Sequence, residues 1–182
     1  LYTPQIKTHN IHTQKNKEFE WSNSFLRQKI MEYETINITK IRDGLYISDR
    51  LAGSNIDIIN QFKISHIINV AGYQTPYNFE SLGIKCLNLN WLENPSPEVQ
   101  YLTDESIKKI ILFFDDAHDN GEGLLGYSFK GQNRICVIII IYLMKKYNWA
   151  LQKCLDFLSK KKHDIAINKY YLDQLHSLEE RL

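Results

Sequence analysis

No stretch of this sequence reaches the roughly 18 consecutive apolar residues that a membrane-spanning helix needs. The longest apolar run, Ile135 to Met144, stops well short of that. Charge of one sign is also lacking. Lys and Arg number 22 against 21 Asp and Glu, for a net charge of +1. That balance gives no general attraction to nucleic acid or to an acidic membrane surface. Cysteines are few and odd in number. Cys86, Cys136 and Cys154 are far apart and sit in apolar runs. They read as reduced core residues of a cytoplasmic protein, not as a disulfide framework. No CxxC or HxxxH spacing occurs, so neither a metal site nor a cofactor is expected. Internal repeats, low-complexity linkers and a secretory signal pattern are equally absent. The 182 residues suffice for one well-buried domain with a terminal extension.

What is present centres on Gly126 to Ile135. A short apolar run, Leu124-Leu125, leads into a glycine-bearing loop, and a long apolar run follows. Strand, loop and helix start in that order hold an oxyanion well. Backbone N–H groups point inward, and the helix dipole adds partial positive charge. Arg134 follows Gly131 by three residues, where its planar fork can grip a phosphate from the side. Ser128 stands where such a loop would carry a nucleophile.

The first 37 residues form an N-terminal extension, and a domain is expected over 38–182. Leu1 to Lys17 is a polar arm. Glu18 to Glu34 is an amphipathic helix with Trp21 and Phe25 on one face, and Tyr33 near its end. Those aromatics either pack onto the domain or dock another protein. Within the domain, Asp43-Gly44 makes a turn before a short strand. Ser54 to Lys63 reads as a helix capped by Ser54 or Asn55. His66 to Ala71 is a buried β-branched strand. Ile84 to Trp91 alternates, with Ile84, Cys86 and Leu89 facing inward. Leu92 to Pro97 is a proline-marked exposed loop.

Thr103 to His118 is an amphipathic helix with Thr103 as its cap and Ile107, Ile110, Ile111 and Phe114 as its buried stripe. Ile135 to Tyr147 is β-branched enough for a strand. Its length and its place after an anion loop assign it to a helix buried on all sides. Trp149 to Lys162 and Asn168 to Leu182 are two further amphipathic helices. The order β-α-β-β-α-β-α-α-α predicts an α/β fold: a central, mostly parallel sheet of about four to five strands flanked by helices. Its binding crevice lies at the carboxyl ends of the strands, where the 128–134 loop falls.

These residues resemble a dual-specificity protein phosphatase domain. The family signature, HCxxGxxR followed by Ser or Thr, stands here as Tyr127-Ser128-Phe129-Lys130-Gly131-Gln132-Asn133-Arg134-Ile135. Ile41 to Ala52 resembles the family's opening strand, and Ile64 to Ala71 its "gIthIlNva" strand. Ile165 to Leu175 resembles its closing "I-x-P-N-x-x-F-x-x-Q-L". The resemblance implies a phosphate cradle built from Ser128, Phe129, Lys130, Gly131, Gln132, Asn133 and Arg134. It matches the family's upstream acid to Glu93.

The departures bear on activity. In the family the cysteine is a thiolate nucleophile, and an aspartic acid protonates the leaving group. Ser128 replaces that cysteine, and a hydroxyl needs a neighbouring base. Tyr127 stands for the family's histidine, Ile135 for its hydroxyl, and Lys130 for a small residue. Cys136 lies inside the helix and cannot take over as nucleophile.

Arg134 has two readings. It grips an incoming phosphate, or it ties the loop to nearby carbonyls or a carboxylate. Glu93 likewise is either the acid or a solvated side chain. The preferred function is a catalytically inactive, phosphatase-like domain that binds other proteins as a scaffold, within a cytoskeletal or ciliary assembly. Capture of phosphorylated peptides, or weak phosphatase activity, are the alternatives.

Overall fold

The structure, a computed structural model, describes residues 37–75 and 79–182. Strands β1 (Ile38–Arg42) and β2 (Leu45–Ser48) form an antiparallel hairpin across Asp43 and Gly44. Gly44 takes φ +71, the left-handed conformation this tight connection needs. Asp49 then caps a single turn, α1 (Arg50–Gly53), by accepting from the N–H groups of Leu51 and Ala52. Asn55 caps α2 (Ile56–Gln61) in the same way. Strand β3 (Ile64–Asn69) and strand β4 (Lys85–Asn88) follow. Thr103 caps the long helix α3 (Asp104–Asp119), which leads to strand β5 (Gly123–Tyr127). Helices α4 (Arg134–Tyr147), α5 (Leu151–Lys161) and α6 (Lys169–Glu179) complete the chain.

The five strands lie in the order β1-β2-β5-β3-β4, and every pair beyond the first hairpin is parallel. A parallel sheet needs cover on both faces, and the alternation along each strand supplies it. On β3, Ile67 joins one apolar cluster and Ile68 the other; on β5, Leu125 and Leu124 divide likewise. The larger cluster includes residues of α3, α4, α5 and α6, while Ile59 of α2 joins the smaller one.

Helix α4 settles the competition between propensity and position. All eleven residues from Arg134 to Met144 are buried. Each isoleucine loses about 0.5 kcal/mol of helix propensity relative to alanine. Burial of the same side chain returns roughly 2 kcal/mol. Tertiary packing therefore wins.

Several expectations shift in detail. The hairpin gains β1, because only Ile41 of that strand is buried and its apolar signal is weak. The Ser54–Lys63 helix shortens to Ile56–Gln61, with Asn55 as its cap. Ile84 and Leu89 are buried as expected, but on β4 Leu87 is buried too and Cys86 only partly, because β4 is the edge strand of the sheet. Ile111 is only partly buried at the edge of the α3 stripe. Trp21, Phe25 and Tyr33, and the expected extension that carries them, lie outside the described residues.

Candidate functional site

β5 ends at Tyr127 and α4 begins at Arg134, so Ser128 to Asn133 forms the loop between them at the carboxyl edge of the sheet. Gly131 is the pivot. Its φ is +72, and a Cβ there would approach the Ser48 carbonyl oxygen to 2.6 Å. Only glycine fits between this turn and β2. The loop is braced from behind by Gln132. Its side chain donates to Asp164 Oδ2 at 3.0 Å, and its carbonyl accepts from Ala166 N at 2.9 Å. Asp164 also pairs with the buried Lys162 at 2.7 Å, which helps hold its carboxyl below the usual range.

The amides of residues 129–133 donate to no protein group among the described residues.

The arginine is engaged by the protein itself. Arg134 is 1% exposed. Its Nη1 donates to the carbonyls of Trp91 at 2.8 Å and Val70 at 3.4 Å, and its Nη2 to Gln74 Oε1 at 2.9 Å. Glu93 Oε2 lies 2.7 Å from its Nε. That contact is an ion pair set off the N–H direction, so the Nε proton makes no aligned hydrogen bond. The Glu93 carboxylate covers the Nε side of the guanidinium.

Glu93 is held there from several sides. Asn133 Nδ2 donates to Glu93 Oε1 at 2.9 Å and to its carbonyl at 3.1 Å. Asn168 Nδ2 donates to the same carbonyl at 2.6 Å, and the Tyr171 hydroxyl donates to the Leu92 carbonyl at 2.6 Å. Trp91, Tyr101 and Tyr171 stack with centroids 5.2 to 6.1 Å apart, which fixes the strand leading to Glu93. Gln174 accepts from the N–H groups of Tyr101 and Leu102 and donates to Val99. The Asn, Tyr and Gln of the closing motif thus anchor the loop that carries the acid.

On the other side of the site, Asn69 at the end of β3 organises residues 71–75. Its Oδ1 accepts from Ala71 N, Gly72 N and Thr75 Oγ1, and its Nδ2 donates to the Thr75 carbonyl. This turn delivers Gln74 to Arg134 and follows directly from Val70, whose carbonyl Arg134 also reaches.

Ser128 is 1% exposed, and among the described residues no histidine hydrogen-bonds to it. His66 is the buried histidine, but its ring lies between Asp116 Oδ2 at 2.9 Å and Glu122 Oε2 at 3.1 Å. Glu93 is committed to Arg134 and Asn133. Among the described residues, neither His66 nor Glu93 is therefore placed to take a proton from the hydroxyl. Tyr127 is wholly buried in the smaller core, and Ile135 fills space beneath Gly126, where a Cβ would meet its Cδ1 at 2.3 Å. Burial pushes the Cys136 thiol up to about 12. Its sulfur faces the Gly131 carbonyl at 3.7 Å, in the core as expected. Phe129 and Lys130 point outward, with Arg50 stacked 4.5 Å from the Phe129 ring.

Of the two readings of Glu93, the solvated one describes only part of its surroundings. Its side chain is 36% exposed and paired with the buried arginine. The reading of Arg134 as tied to carbonyls and a carboxylate matches the geometry. Gln74, Asn168, Tyr171 and Asp164 escaped the sequence-based site. The spacing of the closing motif was a usable signal for Asn168 and Tyr171; Gln74 and Asp164 left none.

A family model described as dual specificity phosphatase, catalytic domain, matches residues 45–181. The chain belongs to the dual specificity phosphatase family. It is similar to Dual specificity protein phosphatase 1 of Arabidopsis thaliana, with 28% identity over 142 residues, 78% of this chain and 69% of that protein. It is also similar to Dual specificity protein phosphatase 1B of the same plant, at 24% identity over 155 residues, 85% of this chain and 89% of the relative. The solved structure of the human tyrosine phosphatase-like serine/threonine/tyrosine-interacting protein superposes with a TM-score of 0.70 at 19% identity. That match covers 79% of this chain and 96% of the human one, and it concerns the fold. Among the described residues, no helix is long and apolar enough to cross a membrane.

Proposed function

We propose that this dual specificity phosphatase domain is catalytically silent and works as a protein-interaction module. The observation that carries the reading is the Arg134–Glu93 contact. The guanidinium that should meet phosphate is already engaged by an internal carboxylate, two carbonyls and an amide oxygen. Beside it stands Ser128, to which no histidine hydrogen-bonds among the described residues. A phosphoryl group would have to displace Glu93 and would then find no thiolate to attack phosphorus. The expected partners are proteins, and the expected place is a cytoskeletal or ciliary assembly, read out by localisation of the tagged full chain.

The test is hydrolysis of an aryl phosphate and of phosphotyrosine and phosphoserine peptides by the purified chain. The expected result is a rate indistinguishable from that of the Ser128→Ala variant. Turnover that this substitution abolishes would overturn the proposal. Phosphopeptide binding by the unaltered chain, lost on Arg134→Ala, would instead favour capture over scaffolding.

A further inference from the structure

A second feature lies away from the cradle, where the end of the β1–β2 hairpin meets the junction of α4 and α5. Arg42, Asp43, Leu143, Tyr147, Trp149 and Phe157 line a groove of about 340 Å³ there. Its aromatics are only partly buried against the core. Trp149 meets Tyr147 at 5.6 Å and Phe157 edge-on at 5.4 Å, so the three rings form one continuous wall.

Each ring carries a cation. Arg42 lies 5.2 Å from the Tyr147 centroid, Lys153 Nζ 4.2 Å from Trp149, and Lys161 Nζ 5.9 Å from Phe157. None of these three cations is paired with a carboxylate among the described residues. Two carboxylates lie nearby: Asp43 lines the groove, and Asp156 keeps its charge beside a neutral amide. Asp43 pairs with Lys40 at 2.7 Å, and Asp156 accepts from Gln152 at 2.8 Å. With Asp43 paired to Lys40, the cations Arg42, Lys153 and Lys161 outnumber Asp156, so the groove joins an aromatic wall to a net positive rim.

We propose that this groove docks a partner protein's linear peptide in which an aromatic or leucine side chain is flanked by carboxylates. The anchor would lie along the Trp149 and Phe157 rings, and the carboxylates would meet Arg42, Lys153 and Lys161. An apolar surface alone would accept many occupants. The net positive rim selects an acidic one, because a basic segment would be repelled and a neutral one would gain no charge pairing. A second copy of this chain is a poorer match, since its own groove presents the same positive sign. This inference names the surface and the partner chemistry for the interaction role proposed above, and it rests on that reading.

The experiment titrates the full chain with a fluorescein-labelled peptide of alternating glutamates around one phenylalanine and one leucine. The control is the same peptide with every glutamate replaced by glutamine. Binding of the acidic peptide is expected to weaken about tenfold in the glutamine version and again in Lys153→Glu/Lys161→Glu, with a further loss as salt rises. Those two lysines are exposed, so the variant should keep its fold, checked by an unchanged melting temperature. Equal binding of both peptides, or no binding of either, overturns the proposal. So does a concentration-dependent dimer that the charge-reversed variant dissolves, since a second copy would then be the occupant. Phosphatase assays on the same preparation keep this outcome separate from that of the catalytic reading.

Discussion

Glu93 Oε2 lies 2.7 Å from Nε of Arg134, and Asn133 holds the other oxygen of that carboxylate at 2.9 Å. A carboxylate of the chain itself therefore lies against the signature arginine. Breaking this pair leaves a buried guanidinium with only neutral partners. Glu93→Gln should lower stability by about 1–3 kcal/mol, since Glu93 is partly solvated. The same variant should gain affinity for tungstate or inorganic phosphate. Melting temperature with and without the oxyanion reads both effects. The expected result is rescue of the variant by the anion and no shift in the unaltered chain.

Restoring sulfur alone should not restore chemistry. Ser128→Cys keeps Glu93 on the arginine and keeps Ile135 where the family has a hydroxyl. Aryl phosphate hydrolysis by this single variant is expected to stay at background. A rate above background would mean that the carboxylate gives way easily and that the loop is closer to active than its geometry implies.

Gly131 offers a test of the loop's construction. Its φ of +72 strains any side chain, and a Cβ would press on the Ser48 carbonyl at 2.6 Å. Gly131→Ala is expected to cost about 2–3 kcal/mol, measured by urea unfolding. A change below 0.5 kcal/mol, the scatter of an ordinary surface substitution, would show that β2 and the loop can move apart.

Acid stability should depend on Asp116. Hydrogen bonds from His66 and then from Lys85 hold its carboxyl at about 2, below its ordinary 3.8. A carboxyl lowered in the folded state stabilises the protein above its unfolded value, and that contribution fades as pH falls toward the folded one. The melting-temperature gap between the unaltered chain and Asp116→Asn should be full above pH 4 and should shrink as pH drops toward 2. A gap that stays constant across this window would remove Asp116 from the account.

The strand, loop and helix from Gly123 to Tyr147 were legible because local rules agree there. A glycine sits where the turn needs one, and a long apolar run follows it. The mutual arrangement of Glu93 and Arg134 was not legible. They are distant in sequence, and only packing brings the 91–93 segment onto the start of α4. Asn168, Tyr171 and Gln174 were visible only as positions of the closing motif, at the start of a terminal helix. Their second task, fixing the segment before Glu93 through its carbonyls and amides, depends on where that helix lands. β1 was hidden because it pairs at the sheet edge with one buried residue, Ile41.

The thiols carry one last consequence. Burial raises Cys136 to about 12 and Cys154 to about 11, and it raises Cys86 as well. Peroxide attacks thiolates, and at neutral pH these sulfurs hold their protons. With an oxygen at position 128, the loop also offers no sulfur to oxidise. Peroxide that switches off thiolate enzymes should leave these three thiols reduced.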